Sequence, residues 1–136
     1  MKKIIILVFC IILSACRQSY IIPYQPNSNA IDSAQTIERI IRSQPPAWTT
    51  VPYEISVTKD CIQMRLVKEL RKQKGVEDTS MTICYENIGK VILYKTDICY
   101  VEIYDRMNNW MYTVYSFEEN NAKKFIDALY TMMKSK

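Results

Sequence analysis

The sequence predicts an α+β fold in which one helix, about six antiparallel β-strands and a second helix follow one another along the chain. Three observations indicate this order: a helical period around residues 30–43, β-rich segments between 51 and 116, and a helical face after 116. The composition, 49% hydrophobic and 24% charged, is typical of a globular domain, so long disordered segments are not expected. We expect a curved sheet or partly open barrel whose apolar face is covered by the last helix.

The first helix is expected from about Ala30 to Ser43. Its apolar residues recur at steps of three and four and define one face: Ile31, Ala34, Ile37, Ile40 and Ile41. Ser28 or Asn29 can cap its start, because a side-chain oxygen there accepts a hydrogen bond from an open amide of the first turn. Pro45 and Pro46 end the helix, since proline cannot continue the backbone ladder.

The strands are predicted from β-branched and aromatic residues that turn residues separate. They are expected at 51–57, 61–67, 81–85, 90–95, 98–104 and 110–116. Pro52 places the beginning of the first strand at a sheet edge, because proline cannot donate to a ladder. Residues 68–80 are charged and contain Gly75, so they are expected to form an exposed loop or hairpin tip.

The last helix has the clearest pattern. Its apolar residues fall on one face: Ala122, Phe125, Ile126, Leu129, Tyr130 and Met133. Ser116 stands three residues before Glu119, the spacing of a capping box, in which each side chain bonds an amide that the first turn leaves open. Lys134 and Lys136 suit the negative end of the helix dipole.

The amino terminus has the layout of a secretory signal over residues 1–15. Lys2 and Lys3 give a positive start, Ile4–Leu13 is an unbroken apolar run, and two small residues follow. The run is too short to cross a bilayer as a helix, which takes roughly 20 residues. We therefore expect a cleavable signal, whose removal leaves a chain of single-domain size.

The run Leu13-Ser14-Ala15-Cys16 resembles the lipobox of bacterial lipoproteins. The resemblance implies cleavage before Cys16, a diacylglycerol on its thiol and, often, acylation of the new amino group, for example by palmitate. An ordinary secretory signal, in which Cys16 has no special role, is the alternative. In enteric bacteria an Asp after the cysteine tends to retain a lipoprotein in the inner membrane. By resemblance, Arg17 at this position favours a lipid anchor in the outer membrane of the cell envelope.

The sequence thus divides into the signal at 1–15, a lipidated tether at 16–28 and a single α+β domain at 29–136. The tether is predicted because Pro23 and Pro26 interrupt a segment that lacks a helical period. Its extended reach is at most roughly 40 Å. Its apolar residues, expected either along lipid headgroups or on the domain, are Tyr20, Ile21, Ile22 and Tyr24.

The segment from Thr82 to Met133 resembles the carboxyl-terminal half of a bacterial PH-like domain. The residues that carry the resemblance are the runs 83–88, 91–93, 100–103 and 112–116, and Ala122, Phe125, Ile126, Ala128 and Leu129 of the last helix. The resemblance implies a PH-like barrel with a capping C-terminal helix, in which Phe125 and Leu129 stand where eukaryotic PH domains usually place a Trp. The first helix is an addition to this fold. Phosphoinositide binding does not carry over, because the first hairpin lacks a matching basic signature.

Three of the five cysteines remain after Cys10 leaves with the signal and Cys16 takes the lipid. In an oxidising space Cys61, Cys84 and Cys99 allow one disulfide and one free thiol, in three pairings. Burial of all three as small apolar residues is the alternative. No metal and no cofactor are expected, because the chain has no histidine and no Cys-x-x-Cys.

Two groups of residues are candidate membrane or partner contacts. The first is a basic cluster that only Glu69 opposes: Arg65, Lys68, Arg71, Lys72 and Lys74. It can attract anionic headgroups or an acidic partner, at about 1 kcal/mol per charge, or it is a solvated loop. The second is Trp110, which with Met111 and Tyr112 follows a polar turn, and Trp48, which follows two prolines. These aromatic residues form either a contact patch or ordinary packing.

Catalysis is not expected. The chain lacks histidine, the usual proton shuttle near neutral pH, and it has neither a Gly-x-Ser-x-Gly motif nor a glycine-rich phosphate loop. Its mildly basic net charge of +4 gives no reason to expect nucleic acid as a partner. Two functions remain: a membrane-anchored, non-catalytic interaction or assembly module that binds another envelope protein, and a carrier of a small ligand or lipid with a cavity under the closing helix.

Overall fold

The computed structural model describes residues 18–70 and 75–135. In chain order its elements are β1 (Tyr20–Ile21), α1 (Ser33–Arg42), β2 (Glu54–Val57), β3 (Cys61–Leu70), β4 (Gly75–Cys84), a 3₁₀ turn (Tyr85–Asn87), β5 (Ile88–Lys95), β6 (Cys99–Asp105), β7 (Trp110–Ser116) and α2 (Glu119–Lys134). The α+β class and the order of helix, strands and helix are confirmed.

The strands form two antiparallel sheets, where a single curved sheet of about six strands was expected. The four-stranded sheet has the order β1-β5-β6-β7, and the three-stranded sheet has the order β2-β3-β4. The division falls at the 3₁₀ turn: the Tyr85 amide still donates to the Asp60 carbonyl, whereas Ile88 already pairs with Asp105 of β6. Over the described ranges the strands do not close into a barrel.

Residues 68–80 were expected to form an exposed loop or hairpin tip, and a hairpin is present, but its strands are longer than expected. β3 and β4 continue through most of this stretch, in which Lys68 lies opposite Glu77 and Glu69 opposite Val76. The side chains of Val67, Glu77 and Asp78 are exposed. Because apolar and polar residues do not alternate along this part of the sequence, its pattern did not indicate strands. Backbone pairing between two strands does not require such an alternation.

Helix α1 begins at Ser33, three residues later than expected. Asp32 precedes it in a left-handed backbone conformation with φ 52° and makes no side-chain capping bond, so neither Ser28 nor Asn29 caps the helix. The Asn29 amide instead donates to Asn27 Oδ1 at 3.1 Å. This local bond orders the turn before the helix, and the later start of the helix leaves Ser28 and Asn29 too far ahead of its first turn to cap it.

The predicted capping box of the last helix is also absent. The helix begins at Glu119, so Ser116 lies too early; its hydroxyl donates to the Glu118 carbonyl at 2.9 Å and accepts from the Glu118 amide at 3.2 Å. The Glu119 carboxylate faces two ammonium groups, Lys95 at 3.1 Å and Lys123 at 2.7 Å. These ion pairs occupy the group that a capping box would need, and they lower the pKa of Glu119.

The core lies where the two helices pack on each other and on the inner faces of the sheets. Its largest fully buried side chains include Ile37, Ile40, Ile41, Ile62, Met64, Ile83, Ile103, Phe125 and Leu129. Burial of one such side chain contributes about 1.5 to 3 kcal/mol before conformational entropy is counted. The apolar faces predicted for both helices are therefore the faces that form the core, although Ile31 lies before α1 and is exposed.

The described part of the predicted tether lies on the domain, which is one of the two positions considered for its apolar residues. β1 pairs with β5, and the Ile22 amide donates to the Leu93 carbonyl at 2.8 Å. The Tyr24 hydroxyl donates to the Asp127 carboxylate at 2.8 Å, and the Ala30 amide donates to Thr131 Oγ1 at 2.9 Å. We call residues 18–31 the strap.

The helices of the described ranges all fall short of the length and hydropathy that a helix needs to cross a membrane.

Candidate functional site

An open cleft of about 270 Å³ lies between β7 and the three-stranded sheet. We call it the aromatic cleft. It is lined by Trp48, Thr49, Thr50, Leu66, Thr79, Met81, Trp110, Tyr112, Thr113 and Tyr115. Three separate parts of the chain thus build it: the segment after α1, the hairpin of β3 and β4, and strand β7.

Gln44 holds the first of these parts in place. Its side chain is buried, and its Nε2 donates to the Tyr112 hydroxyl at 3.1 Å and to the Ile41 carbonyl at 3.2 Å. Its Oε1 accepts from the Tyr115 amide at 2.9 Å. Because these bonds join the end of α1 to β7, they fix where the following segment leaves the helix. In that segment the Trp48 amide donates to the Pro45 carbonyl at 3.0 Å, a turn that carries Trp48 to the cleft.

Trp48 also ends a row of four aromatic rings, which we call the aromatic row. Tyr94 lies opposite Tyr100, and Tyr100 opposite Tyr115, on the successive strands β5, β6 and β7. Their ring centroids are 5.0 Å and 5.8 Å apart, and Trp48 follows Tyr115 at 6.0 Å. Each such aromatic pair adds about 0.5 to 1.5 kcal/mol beyond area burial. The row therefore stiffens one wall of the cleft.

Among the described residues, those that line the cleft are uncharged. Burial raises the pKa of the Tyr112 and Tyr115 hydroxyls, so both remain neutral at ordinary pH. Four threonines supply hydroxyl groups, and one of these, Thr113 Oγ1, accepts from the indole Nε1 of Trp110 at 2.9 Å. An apolar site with a few hydroxyl groups is suited to an uncharged group.

Both tryptophans are open to solvent: Trp48 is 50% exposed and Trp110 is 58% exposed. The structure thus brings the predicted contact residue Trp110 into one site with Trp48. A half-exposed indole ring at a cleft is typical of contact sites, because the area that remains exposed is available to a partner.

Of the predicted basic cluster, Arg65 is the member whose side chain the structure describes, and it lies among acidic and aromatic partners. Its guanidinium bonds Asp78, lies 3.5 Å from Glu54 Oε2 and stacks over the Tyr53 ring at 5.5 Å. The carboxylate of Asp78 raises the pKa of Arg65, and Tyr53 and Arg65 together lower the pKa of Asp78. Lys68 lies on β3, while Arg71, Lys72 and Lys74 lie outside the described residues, as do Cys16 and the signal.

No local pattern marked Leu66 and the four threonines as parts of a site. Thr79 belongs to the stretch that was expected to be an exposed loop or hairpin tip, and Thr49 and Thr50 follow the prolines without a pattern of their own. Trp48, after Pro45 and Pro46, was expected either in a contact patch or in ordinary packing. Membership of the cleft depends on which strands lie together, and no local pattern carries that information.

The remaining cysteines divide into one pair and one isolated thiol. Cys61 of β3 lies opposite Cys84 of β4, whereas Cys99 is buried in the four-stranded sheet, where burial raises its pKa. None of the three is cross-linked in the structure. Within residues 18–70 and 75–135, no three Cys, Asp or Glu side chains come close enough together to hold a metal ion.

Comparison of the chain with known protein families, with curated proteins and with solved structures finds no significant match.

Proposed function

We propose that this protein is a bacterial envelope lipoprotein, anchored by acyl chains on Cys16, and that it acts as a non-catalytic interaction module. The aromatic cleft carries the second part of this proposal. Its two exposed indole rings and uncharged lining suit an apolar side chain of another envelope protein. The lipobox-like run and the apolar signal before it support the first part.

The openness of the cleft suits a protein side chain. Small-molecule sites commonly measure about 300 to 1,000 Å³ and enclose most of the ligand, whereas the cleft, at about 270 Å³, is at the small end of this range and open to solvent. It is large enough for one or two apolar side chains of a partner. The threonine hydroxyl groups along its wall can bond the partner's backbone, as polar groups at the rim of an interface do.

The carrier function has less support. It required a cavity under the closing helix, and two of the large side chains that α2 directs into the domain, Phe125 and Leu129, are packed in the core and both 0% exposed. The same two residues support the finer proposal that the domain is PH-like, since they stand in the closing helix where that fold needs large apolar groups. Two antiparallel sheets followed by a C-terminal helix are also compatible with it.

Site-directed photo-crosslinking in cells tests the interaction function. A benzophenone amino acid replaces Thr50, which lines the cleft and is exposed, or Gln35, an exposed residue of α1 that does not line it. We expect the Thr50 probe to form one discrete adduct with an envelope protein, identified by mass spectrometry, and Trp110→Ala to weaken that adduct strongly. The Gln35 probe is expected to give no such adduct.

The same adduct from both positions, or an adduct that Trp110→Ala leaves unchanged, would show that the cleft is not the binding site. Lipid that co-purifies with acyl-free protein and depends on Trp48 or Trp110 would favour the carrier instead. The anchor has its own test: the intact mass of mature protein from native envelopes. A first residue other than Cys16, or a mass without acyl chains, would refute the lipoprotein assignment.

A further inference from the structure

One end of the four-stranded sheet carries exposed apolar residues next to the point where the chain enters the domain. The register runs across this end as one row, in which Tyr20 lies opposite Lys95, Lys95 opposite Cys99, and Cys99 opposite Ser116. Tyr20 is 57% exposed, and Phe117, which follows the row, is 72% exposed. We call this the entry end.

The direction of β1 shows that the chain reaches the sheet from this end. Tyr20 pairs with Lys95, the last residue of β5, and Ile21 pairs with Tyr94, so β1 runs from the entry end inward. The described chain before Tyr20 therefore begins at the entry end of the sheet. Tyr20 lies four positions after Cys16 in the sequence, a distance of at most about 14 Å for a fully extended chain.

We infer that the entry end is a membrane-contacting surface, on which Tyr20 and Phe117 enter the headgroup region of the bilayer that holds Cys16. This inference rests on the proposed lipid anchor and adds an orientation to it. A tether of free chain up to residue 28 would let the domain turn in any direction. Because the strap is instead hydrogen-bonded to β5 and α2, the domain is held close to the anchor with one end toward the lipid.

The charges near the entry end indicate what kind of lipid surface it fits. Among the described residues its cations are Lys95, Lys123 and Lys124, and its anions are Asp97, Glu118 and Glu119. Two of the cations are paired with Glu119. Because the two signs balance over this described surface, it gives little net attraction to anionic lipid. Exposed tyrosine and phenylalanine side chains favour the interfacial region of a bilayer whatever its charge.

Depth-dependent fluorescence quenching tests the orientation. The acylated mature protein, with Trp48→Phe and Trp110→Phe, receives a single new indole by Phe117→Trp or, as the control, by Met107→Trp. Met107 is 81% exposed and lies in the turn between β6 and β7, at the opposite end of the same sheet. Both versions are placed on vesicles of phosphatidylcholine that contain lipid brominated along its acyl chains.

We expect the Phe117→Trp indole to be quenched several-fold more strongly than the Met107→Trp indole. Addition of anionic lipid to the vesicles is expected to change this difference in quenching little. Equal quenching of the two variants, or stronger quenching for Met107→Trp, would overturn the proposed orientation. If the mass of the protein still includes the acyl chains, such a result leaves the lipid anchor in place. Native protein without acyl mass would overturn both. Circular dichroism of each variant confirms that it folds, and both new indoles replace exposed side chains.

Discussion

Cys61 and Cys84 face each other across β3 and β4 at a position where the two strands exchange no backbone hydrogen bond. The next residues outward, Asp60 and Tyr85, do share one, from the Tyr85 amide to the Asp60 carbonyl at 3.0 Å. Bonded and non-bonded pairs alternate in an antiparallel ladder, and the Cα atoms of a non-bonded pair lie about 4.5 Å apart. A disulfide accepts this spacing. Of the three pairings that the sequence allowed, the register therefore selects Cys61 with Cys84.

We predict that oxidised glutathione links Cys61 and Cys84 in the mature protein. The two thiols lose two protons and two electrons, and the glutathione disulfide is reduced to two thiols. Mass spectrometry after thiol alkylation should show one intramolecular bridge. Cys99→Ser should keep the bridge and Cys61→Ser should abolish it. A bridge that includes Cys99 would contradict the register.

Gln44 should contribute strongly to stability, because it is the buried connection between α1 and β7. Gln44→Leu leaves the Tyr112 hydroxyl and the Tyr115 amide without this partner, at about 1 to 3 kcal/mol for each buried group. Urea unfolding measures the loss. The matched control is Gln63→Leu on the exposed face of β3, which should change the free energy of unfolding little. Equal effects of the two substitutions would show that the buried bonds contribute nothing particular.

Gly89 should not tolerate a side chain. A Cβ atom there would lie 2.5 Å from the Asp105 carbonyl oxygen and 2.7 Å from the Arg106 Cα, and neither backbone atom can rotate away. This close approach lies at the register shift between Ile88 and Lys90. We expect Gly89→Ala to lower the free energy of unfolding by about 1 to 3 kcal/mol. Ser56→Ala, at an exposed position of β2, serves as the control; a Gly89→Ala protein as stable as wild type would contradict the contact.

Tyr24 should make the strap sensitive to alkaline pH. Burial, reinforced by the hydrogen bond to Asp127, raises its pKa from 10.0 to about 12. The folded state thus keeps the phenol proton where the unfolded chain has lost it. The contribution of Tyr24 is complete below pH 10.0 and is lost as the pH rises through about 12. Urea titrations of wild type and Tyr24→Phe should therefore differ at neutral pH and converge at the alkaline end of this window. A difference that grows with pH would have the wrong sign.

Local patterns in the sequence predicted much of the fold. The apolar faces of both helices depend only on the period of the backbone, which neighbouring residues determine. The prolines after α1 also act locally, because each removes a backbone donor. The errors lie where distant residues decide. Glu119 pairs with Lys95 of β5, so the capping box does not form. The 3₁₀ turn after β4 sends the following strands into a second sheet.

The candidate site follows the same division. Trp110 and Trp48 were predicted contact residues because they are aromatic residues next to turn residues or prolines. That both line one cleft with Leu66 and Thr79 depends on the placement of β7 beside the hairpin of β3 and β4. The basic cluster was predicted from composition, and the structure adds that one of its members, Arg65, is paired with Asp78 and Glu54. The lipid anchor on Cys16 remains a prediction from the sequence, since this residue lies outside the described part of the chain.

By itself the sequence determined the class of the fold, the order of helices and strands, and the faces that become buried, because hydrophobic periodicity is a property of neighbouring residues. The tertiary structure alone decided the split into two sheets, the register that places Cys61 opposite Cys84, the position of the strap and the aromatic cleft. Each of these depends on which distant segments lie side by side. The arrangement of distant segments is the one that minimises the free energy of the whole domain, so no short stretch of sequence predicts it.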